Sequence, residues 1–299
     1  MTSTGQASPV GQRAQPAVKT VRARRSAWRT LRRNPIAMAA LVGLVLLVLA
    51  VILAPLIAPI PPNAHDYEHL LEPPSRAHPF GTDDLGRDIF SRVLWGGRES
   101  LRVAGMAMAV AMSGGIVVGL ISGYFGRWVD SLIMRIVDVL LAFPTILLLL
   151  SVVAALGPNL GTVLIALGIS AIPGFSRLVR GSVLAAKNQE YVTAARVMGA
   201  SDVYIMFTQI LPNIMPPLII YATVGLGSAI LITAGLSYIG LGAQPPSPEW
   251  GAMLNAGRSH MRDAWWISVF PGLAIFLAVL FVNLLSDGLR DALDPRTVI

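Results

Sequence analysis

The sequence contains no cysteine, and this absence excludes several chemistries at once. Without a thiol the chain can form no disulfide, offer no cysteine nucleophile and hold no metal through thiolates. Lysine is almost as scarce, because only Lys19 and Lys187 occur and neither follows a glycine. A phosphate-binding P-loop requires Gly-Lys-Ser/Thr, so the chain has no P-loop of its own. All four histidines lie outside the long apolar segments, and none can therefore ligate a haem within a membrane.

Charge is also scarce, since charged residues make up 13% of the chain and hydrophobic residues 54%. A soluble domain has about 25% charged residues. The deficit is concentrated in long stretches without charge, and a membrane-spanning helix needs about 20 apolar residues. Gly and Pro breaks divide the longest stretches. We therefore predict an all-α integral membrane protein with six transmembrane helices, over residues 36–58, 103–124, 132–155, 160–178, 213–235 and 265–286.

The distribution of basic residues predicts the orientation of these helices. Residues 1–35 contain eight Lys and Arg and no acid, which is typical of a cytoplasmic segment. We expect a basic cytoplasmic tail over 1–35, a first helix and external loop over 36–102, a core over 103–286 with a cytoplasmic loop at about 186–211, and a cytoplasmic tail over 287–299. The net charge of +7 follows from this topology and from contact with the anionic lipid bilayer. We expect no nucleic-acid partner.

Two features within the predicted spans carry separate interpretations. Gly115, Gly119 and Gly123 recur every four residues and predict a helix face that another helix can approach closely. Arg135 and Asp138 are charges within the third span, and their spacing places them on one helix face. Such intramembrane charges are candidate functional groups. A pair that neutralises itself near the cytoplasmic interface is the simpler interpretation.

The external segments contain two patterns that resemble metal sites. His65–His69 matches the H-x-x-E-H pattern of inverted zinc proteases, but proline pairs on both sides favour a solvated loop. Phe80–Asp88 is rich in Asp but lacks the spacing of an EF-hand. It indicates a turn that caps a helix beginning near Leu85, and we expect no metal. Five tryptophans near the predicted span ends indicate an interfacial aromatic belt: Trp95, Trp128, Trp250, Trp265 and Trp266.

Residues 190–213, EYVTAARVMGASDVYIMFTQILPN, separate two predicted spans. They predict a short helix, a turn at Gly199–Asp202 and a second short helix that runs into Leu211 and Pro212. The small residues Ala194, Ala195 and Gly199 would let another surface approach, and Tyr191, Met198 and Tyr204 would supply contact area. On these grounds a cytoplasmic docking element and an ordinary interfacial loop are equally good interpretations.

This segment resembles the coupling loop of ATP-binding-cassette (ABC) importer permeases, which reads Glu-Ala-Ala, three residues, Gly, nine residues, Ile, one residue, Leu-Pro. Thr193, Ala194 and Ala195 take the triplet, Gly199 the glycine, Gln209 the Ile position, and Leu211 and Pro212 the end. The Glu and the Ile are both replaced, while the spacing of Ala, Gly and Pro is intact. Residues 78–101, 123–144 and 235–254 are similar to the second, C-type permease subunit of dipeptide, oligopeptide and nickel importers.

The resemblance implies a type I ABC importer permease fold and a bacterial cytoplasmic (inner) membrane location with both termini in the cytoplasm. It implies a heterodimer with a sister permease, two ATPase subunits or domains and an external solute-binding protein. This chain would be no enzyme and hold no cofactor, since ATP and Mg would bind the ATPases. Peptides are the expected cargo, with nickel chelates, glutathione and haem as alternatives. The implied coupling residues are Tyr191, Thr193, Ala194, Ala195, Met198, Gly199, Ala200, Leu211 and Pro212.

Two other classes of function stay open on the residues alone. A proton-coupled secondary transporter or a channel would need a membrane carboxylate free to titrate, and often an internal repeat. The sequence has no evident repeat, and Asp138 has Arg135 nearby. A membrane scaffold or enzyme subunit has no cofactor motif to support it. Polar groups that would line a transport path are Ser170, Thr223, Ser228 and Asn283, and the sequence does not rank them.

Overall fold

A computed structural model describes residues 28–293. Residues 1–27 and 294–299, which hold most of the predicted tail over 1–35 and part of the predicted tail over 287–299, lie outside this part. Within 28–293 the chain is helical and has no strand beyond one isolated bridge between Thr82 and Asp88. The main helices are α1 Pro35–Ile52, α2 Ile89–Phe125, α3 Arg127–Ala142, α4 Thr145–Leu156, α5 Leu160–Ala186, α6 Glu190–Val197, α7 Asp202–Tyr238, α8 Trp250–Gly257 and α9 Trp266–Leu293.

Across residues 28–293, five helices are long and apolar enough to cross a membrane, namely α1, α2, α5, α7 and α9. The pair α3 and α4 makes a sixth span if the two count as one, but they are bent by 87°. The prediction of a continuous third span was wrong. Pro144 is the cause, because proline disfavours helical geometry in the residue before it, and Phe143 is extended with φ −82° and ψ 134°.

Three helices begin or end differently from the prediction. The α2 helix starts at Ile89 and not near Leu85, because the Asp88 carboxylate accepts a 2.7 Å hydrogen bond from the Ser91 amide. The α5 helix continues to Ala186 without a break. The predicted second short helix of the coupling loop is instead the first part of α7, which includes a π-helical segment at Ile205–Ile210. That segment comes directly before the Leu211-Pro212 step, where proline has no amide hydrogen to donate.

The three-glycine face of α2 packs directly on α5. A Cβ atom on any of these glycines would overlap a Cβ atom of α5, so a larger residue would force the helices apart. The facing pairs are Gly115 with Phe175, Gly119 with Val179, and Gly123 with Val183. A Cβ added to Gly119 would lie 2.5 Å from the Val179 Cβ, and one added to Gly123 would lie 2.8 Å from the Val183 Cβ. The spacing of four residues repeats on both helices, which therefore run side by side over two turns.

A folded cap covers the end of the bundle where α2 begins. The Arg87 guanidinium donates to the Asp83 carboxylate at 2.7 Å, and both side chains are buried. Trp250 donates its indole N–H to the Val93 carbonyl at 2.8 Å and is only 1% exposed. Trp266 is also buried and donates to the Thr82 carbonyl. The aromatic-belt interpretation was therefore wrong for these two tryptophans, which are core residues with satisfied donors.

The histidine-rich segment lies in this cap as a loop without helix. His69 Nδ1 lies 2.9 Å from the Asp66 carboxylate, and this hydrogen bond raises the pKa of the imidazole and lowers the pKa of the carboxyl group. A zinc-protease motif requires its ligands on a helix. The geometry of His65–His69 is therefore that of a solvated loop.

Candidate coupling surface

The α6 helix lies across the bundle end formed by the ends of α2 and α5 and the start of α7. Val192 and Ala195 form its inner face and are 0% and 4% exposed. They pack in an apolar cluster with Val183, Ile205 and Ile210. Burial of this face holds the short helix in place, since an isolated helix of eight residues is not stable in water. Ala195 was expected on the docking surface, but it points into the protein because position i+3 from Val192 shares its face.

The outer face of α6 is exposed and partly apolar. Val197 and Met198 are 83% and 80% exposed, and Thr193 and Ala194 lie beside them. Tyr191 is half-buried at the edge, and loss of solvation raises the pKa of its hydroxyl, which stays neutral. Exposed apolar side chains at the tip of a firmly held helix form a surface suited to a protein partner.

A left-handed glycine turn connects α6 to α7. Gly199 has φ +81°, a conformation that costs glycine little. Its amide donates to the Arg196 carbonyl at 3.0 Å, and the Ala200 amide donates to the Ala195 carbonyl at 3.1 Å. These two bonds are the pair that defines a Schellman motif. The motif ends α6 and directs the chain into α7. No atom lies within 4 Å of a Cβ built on Gly199, so the restriction there is conformational.

Polar contacts tie this loop to the spanning helices. Lys187 donates to the Gly123 carbonyl at 2.8 Å, which connects the end of α5 to the end of α2. Arg180 of α5 binds Asp130 of α3 through two hydrogen bonds of 2.6 Å. Bidentate pairs of this kind fix orientation as well as distance. These contacts join α2, α3 and α5 at the end of the bundle next to α6.

The intramembrane charge pair has a different partner from the one expected. Asp138 accepts a 2.5 Å hydrogen bond from Arg177 of α5. Within residues 28–293, Arg135 forms no ion pair within 4.0 Å. The prediction of local neutralisation by Arg135 was wrong, because spacing along one helix says nothing about a charge that a second helix brings in. Asp138 is nevertheless paired, as the simpler interpretation required.

A cavity of about 300 Å³ lies midway along the bundle, between α2, α5 and α7. Ser170 and Ser228 line it together with the aromatic rings of Phe175 and Tyr221. Thr223 lines a different, shallower groove, and Asn283 packs against Gly227. The structure therefore separates the four polar path candidates, and only two of them share the cavity.

Glu249 is a buried carboxylate that the sequence did not reveal as special. It is 0% exposed, accepts from the Ser100 hydroxyl at 2.9 Å, and caps α8 by accepting from the Ala252 amide at 3.0 Å. Burial raises the pKa of its carboxyl group, and these hydrogen bonds oppose the shift. It joins α2 to α8 at the cap end, opposite the coupling surface.

The long spans, the bent α3–α4 pair and the protruding α6 together have the architecture of an ABC importer permease. The solved structure of the inward-facing MetNI methionine ABC transporter superimposes with a TM-score of 0.55 at 20% identity, covering 67% of this chain and 96% of that chain. This likeness shows the fold, and the prediction of a type I ABC importer permease fold is confirmed.

Sequence comparison then identifies the family. Residues 115–299 match the binding-protein-dependent transport system inner membrane component, and residues 23–74 match the N-terminal TM domain of oligopeptide transport permease C. The chain belongs to this family as a C-type ABC importer permease, which confirms the resemblance. Such permeases are multi-pass membrane proteins that work with other subunits such as ATPases.

Two relatives are similar over nearly their whole length. The dipeptide transport system permease of Alkalihalophilus pseudofirmus is 46% identical over 272 residues, 91% of this chain and 90% of its own. The glutathione transport system permease of Pectobacterium atrosepticum is 48% identical over 273 residues, 91% of each chain. These relatives are transport permeases and not enzymes.

Proposed function

We propose that this chain is one of two permease subunits of an ATP-driven importer that carries peptides across the bacterial cytoplasmic membrane. It would pair with a sister permease, two ATPase subunits that bind ATP and Mg, and an external solute-binding protein. Similarity to a dipeptide permease and to a glutathione permease supports a peptide cargo. The central cavity with Ser170 and Ser228 offers hydroxyl groups within an apolar path.

The observation that carries the proposal is the contrast between the two faces of α6. Its inner face is buried against the bundle, while Val197 and Met198 on the outer side are almost fully exposed. We assign the outer side to a groove on an ATPase subunit. Closure of the ATPases would then move α6 as a rigid piece and pull α2 and α5 with it, through Lys187 and the packed core.

A pair of methionine substitutions tests this assignment. Met198→Asp places a charge on the proposed interface, where burial without a partner is costly. We expect co-purification of the ATPase and peptide uptake to fall at least about tenfold. Met261→Asp is the matched control, since Met261 is 58% exposed at the opposite end of the bundle. It should leave ATPase binding unchanged, and equal ATPase retention by both variants would refute the coupling role of α6.

The family's own residue provides a second check at the same surface. Thr193 is exposed, so Thr193→Glu introduces the carboxylate of the family pattern without disturbing the core. We expect this variant to transport normally. Loss of uptake by Thr193→Glu with the ATPases still bound would show that the loop does not follow the family pattern.

The energy source separates this proposal from a proton-coupled transporter. In cells or vesicles, uptake should stop when ATP is depleted with the proton gradient intact, and continue when the gradient alone is collapsed. The reverse result would favour the secondary transporter. The paired state of Asp138 and the capping role of Glu249 support the ATP-driven reading.

The absence of cysteine allows the orientation to be tested without background labelling. Ser75→Cys in the cap should react with an impermeant thiol reagent added outside intact cells. Ser201→Cys in the coupling turn should react only after the membrane is opened. The opposite pattern would place α6 outside, away from any ATPase.

Cargo is tested by supplying one substrate at a time. A strain that expresses the complete importer with its binding protein should take up a labelled dipeptide or glutathione, and lose this uptake when this chain is removed. Uptake of a nickel chelate or haem in place of both would overturn the peptide assignment and leave the importer role intact.

A further inference from the structure

A groove of about 600 Å³ lies between the last two turns of α1 and the first turns of α2. It sits at the cap end of the bundle, remote from the coupling surface. Its α1 wall is apolar and includes Val48 and the exposed side chain of Ile52. Its α2 wall carries Trp95, Arg98 and Arg102. The groove therefore has one apolar wall, similar to a lipid-facing surface, and one wall that carries two cationic side chains.

The two arginines are exposed and, among residues 28–293, are not paired with acidic side chains. They lie one helical turn apart, so both guanidinium groups border the same groove. In the part of the chain that the structure describes, neither has a carboxylate within 4.0 Å. Glu99 also lines the groove, but its carboxylate accepts a 2.9 Å hydrogen bond from Ser247. Arg98 and Arg102 are thus available to an anion.

Trp95 contributes its aromatic ring to the groove. Its indole nitrogen is buried and has no hydrogen-bond partner. Because this atom is enclosed by protein, other atoms of the indole ring line the groove. The guanidinium of Arg98 lies 5.1 Å above the indole ring, which orients the arginine along the groove. Two charged donors and an aromatic ring therefore border one space.

The position of the groove indicates the source of the anion. Arg102 is the last charge on α2 before the uncharged segment that starts at Val103, so it marks the boundary of the hydrocarbon region. Arginine binds phosphate groups through its planar fork of donors. We propose that this groove binds the phosphodiester of a membrane phospholipid, with an acyl chain lying along Val48 and Ile52. This site is independent of the coupling surface and of the peptide cargo.

The test is lipid retention by the full-length chain in its complex, with phosphatidylglycerol as the probe. Native mass spectrometry in detergent would count bound lipids after titration. Arg98→Gln with Arg102→Gln should weaken retention about tenfold or more, since charge-assisted hydrogen bonds are lost. Arg76→Gln with Arg262→Gln is the matched control, because it removes the same charge from exposed sites at the same end. Equal retention by both double variants would overturn the proposal.

Two further variants test lipid binding if the protein with Arg98→Gln and Arg102→Gln is unstable. Arg98→Lys with Arg102→Lys keeps the charge but not the forked donor, and should weaken retention less than glutamine does. Trp95→Leu removes the ring beneath Arg98 and should also weaken retention. Displacement of the lipid by millimolar inorganic phosphate alone would show a free-anion site and contradict the acyl contact.

A protein occupant is the competing outcome. Ile52→Cys introduces a single thiol into a chain without cysteine. A bound lipid with a thiol-reactive acyl chain should label this position in the assembled importer. Cross-linking of the same thiol to the sister permease, without lipid labelling, would show that the groove is a subunit interface and overturn the lipid assignment.

Discussion

The hydroxyl group of Tyr124 donates a 2.6 Å hydrogen bond to the carboxylate of Asp202. Tyr124 lies at the end of α2, and Asp202 is the first residue of α7. This contact connects the coupling turn directly to a spanning helix. It joins residues 78 positions apart, so no local pattern indicates it.

Tyr124→Phe should loosen this connection without altering the core. A hydrogen bond to a charged acceptor contributes about 1.5–3 kcal/mol, and exposure to solvent places this one at the low end. We expect unchanged membrane insertion, a small loss of thermal stability and more ATP hydrolysed per peptide transported. Asp202→Asn keeps an acceptor oxygen and serves as the control. Identical ATP-to-peptide ratios in the wild type and in Tyr124→Phe would show that the contact plays no part in coupling.

Gly119→Ala should separate α2 from α5. The added Cβ would meet Val179 Cβ at 2.5 Å and the Ser176 carbonyl at 2.7 Å, neither of which can yield freely. Overpacking of this kind costs about 1–3 kcal/mol, and a lower melting temperature in detergent would report it. Gly105→Ala on the same helix is the control, since nothing lies within 4 Å of its Cβ. Equal melting temperatures for both variants would contradict the close packing.

Gly199→Val should impair transport through backbone strain. Its φ of +81° is unfavourable for a β-branched residue, by about 1–3 kcal/mol. Asparagine tolerates this conformation, so Gly199→Asn should retain most of the uptake that Gly199→Val loses at matched expression. Equal uptake by the valine and asparagine variants would show that the Schellman turn is not required.

Glu249 should make stability depend on pH. Its folded-state pKa is raised, so the folded protein holds this proton more tightly than the unfolded chain. The resulting stabilisation is complete below the ordinary pKa of a glutamate, about 4.3, and is lost as pH rises through the raised value. The wild-type melting temperature should therefore fall on raising the pH through this window. Glu249→Gln should show a smaller fall, and equal slopes would refute this role.

The ion pair between Asp138 and Arg177 can be tested against the local alternative. Arg177→Gln leaves Asp138 without its partner and should lower the melting temperature. Arg135→Gln removes the same charge and should have little effect. Exchange of the two partners, Asp138→Arg with Arg177→Asp, should recover part of the loss. If Arg135→Gln lowered the melting temperature as much as Arg177→Gln, the local pair of Arg135 with Asp138 would be supported instead.

The sequence alone was enough to determine the membrane class and the approximate number of spans, and to predict where a coupling segment lies. Charge-free stretches of about 20 residues have few alternatives to a spanning helix, because a bilayer offers no hydrogen bonds to an open backbone. The glycine spacing on α2 and the left-handed position of Gly199 are likewise local properties. They follow from what a residue without a side chain permits.

Only the tertiary structure decided which residues face one another. Ala195 belongs to the core and Met198 to the surface because α6 lies on the ends of α2, α5 and α7. Arg177, and not Arg135, pairs with Asp138 because α5 passes beside α3. Trp250 is a core residue because α8 folds back onto α2. Spacing along a chain sets the faces of one helix, whereas partners across helices depend on how the packed helices are arranged.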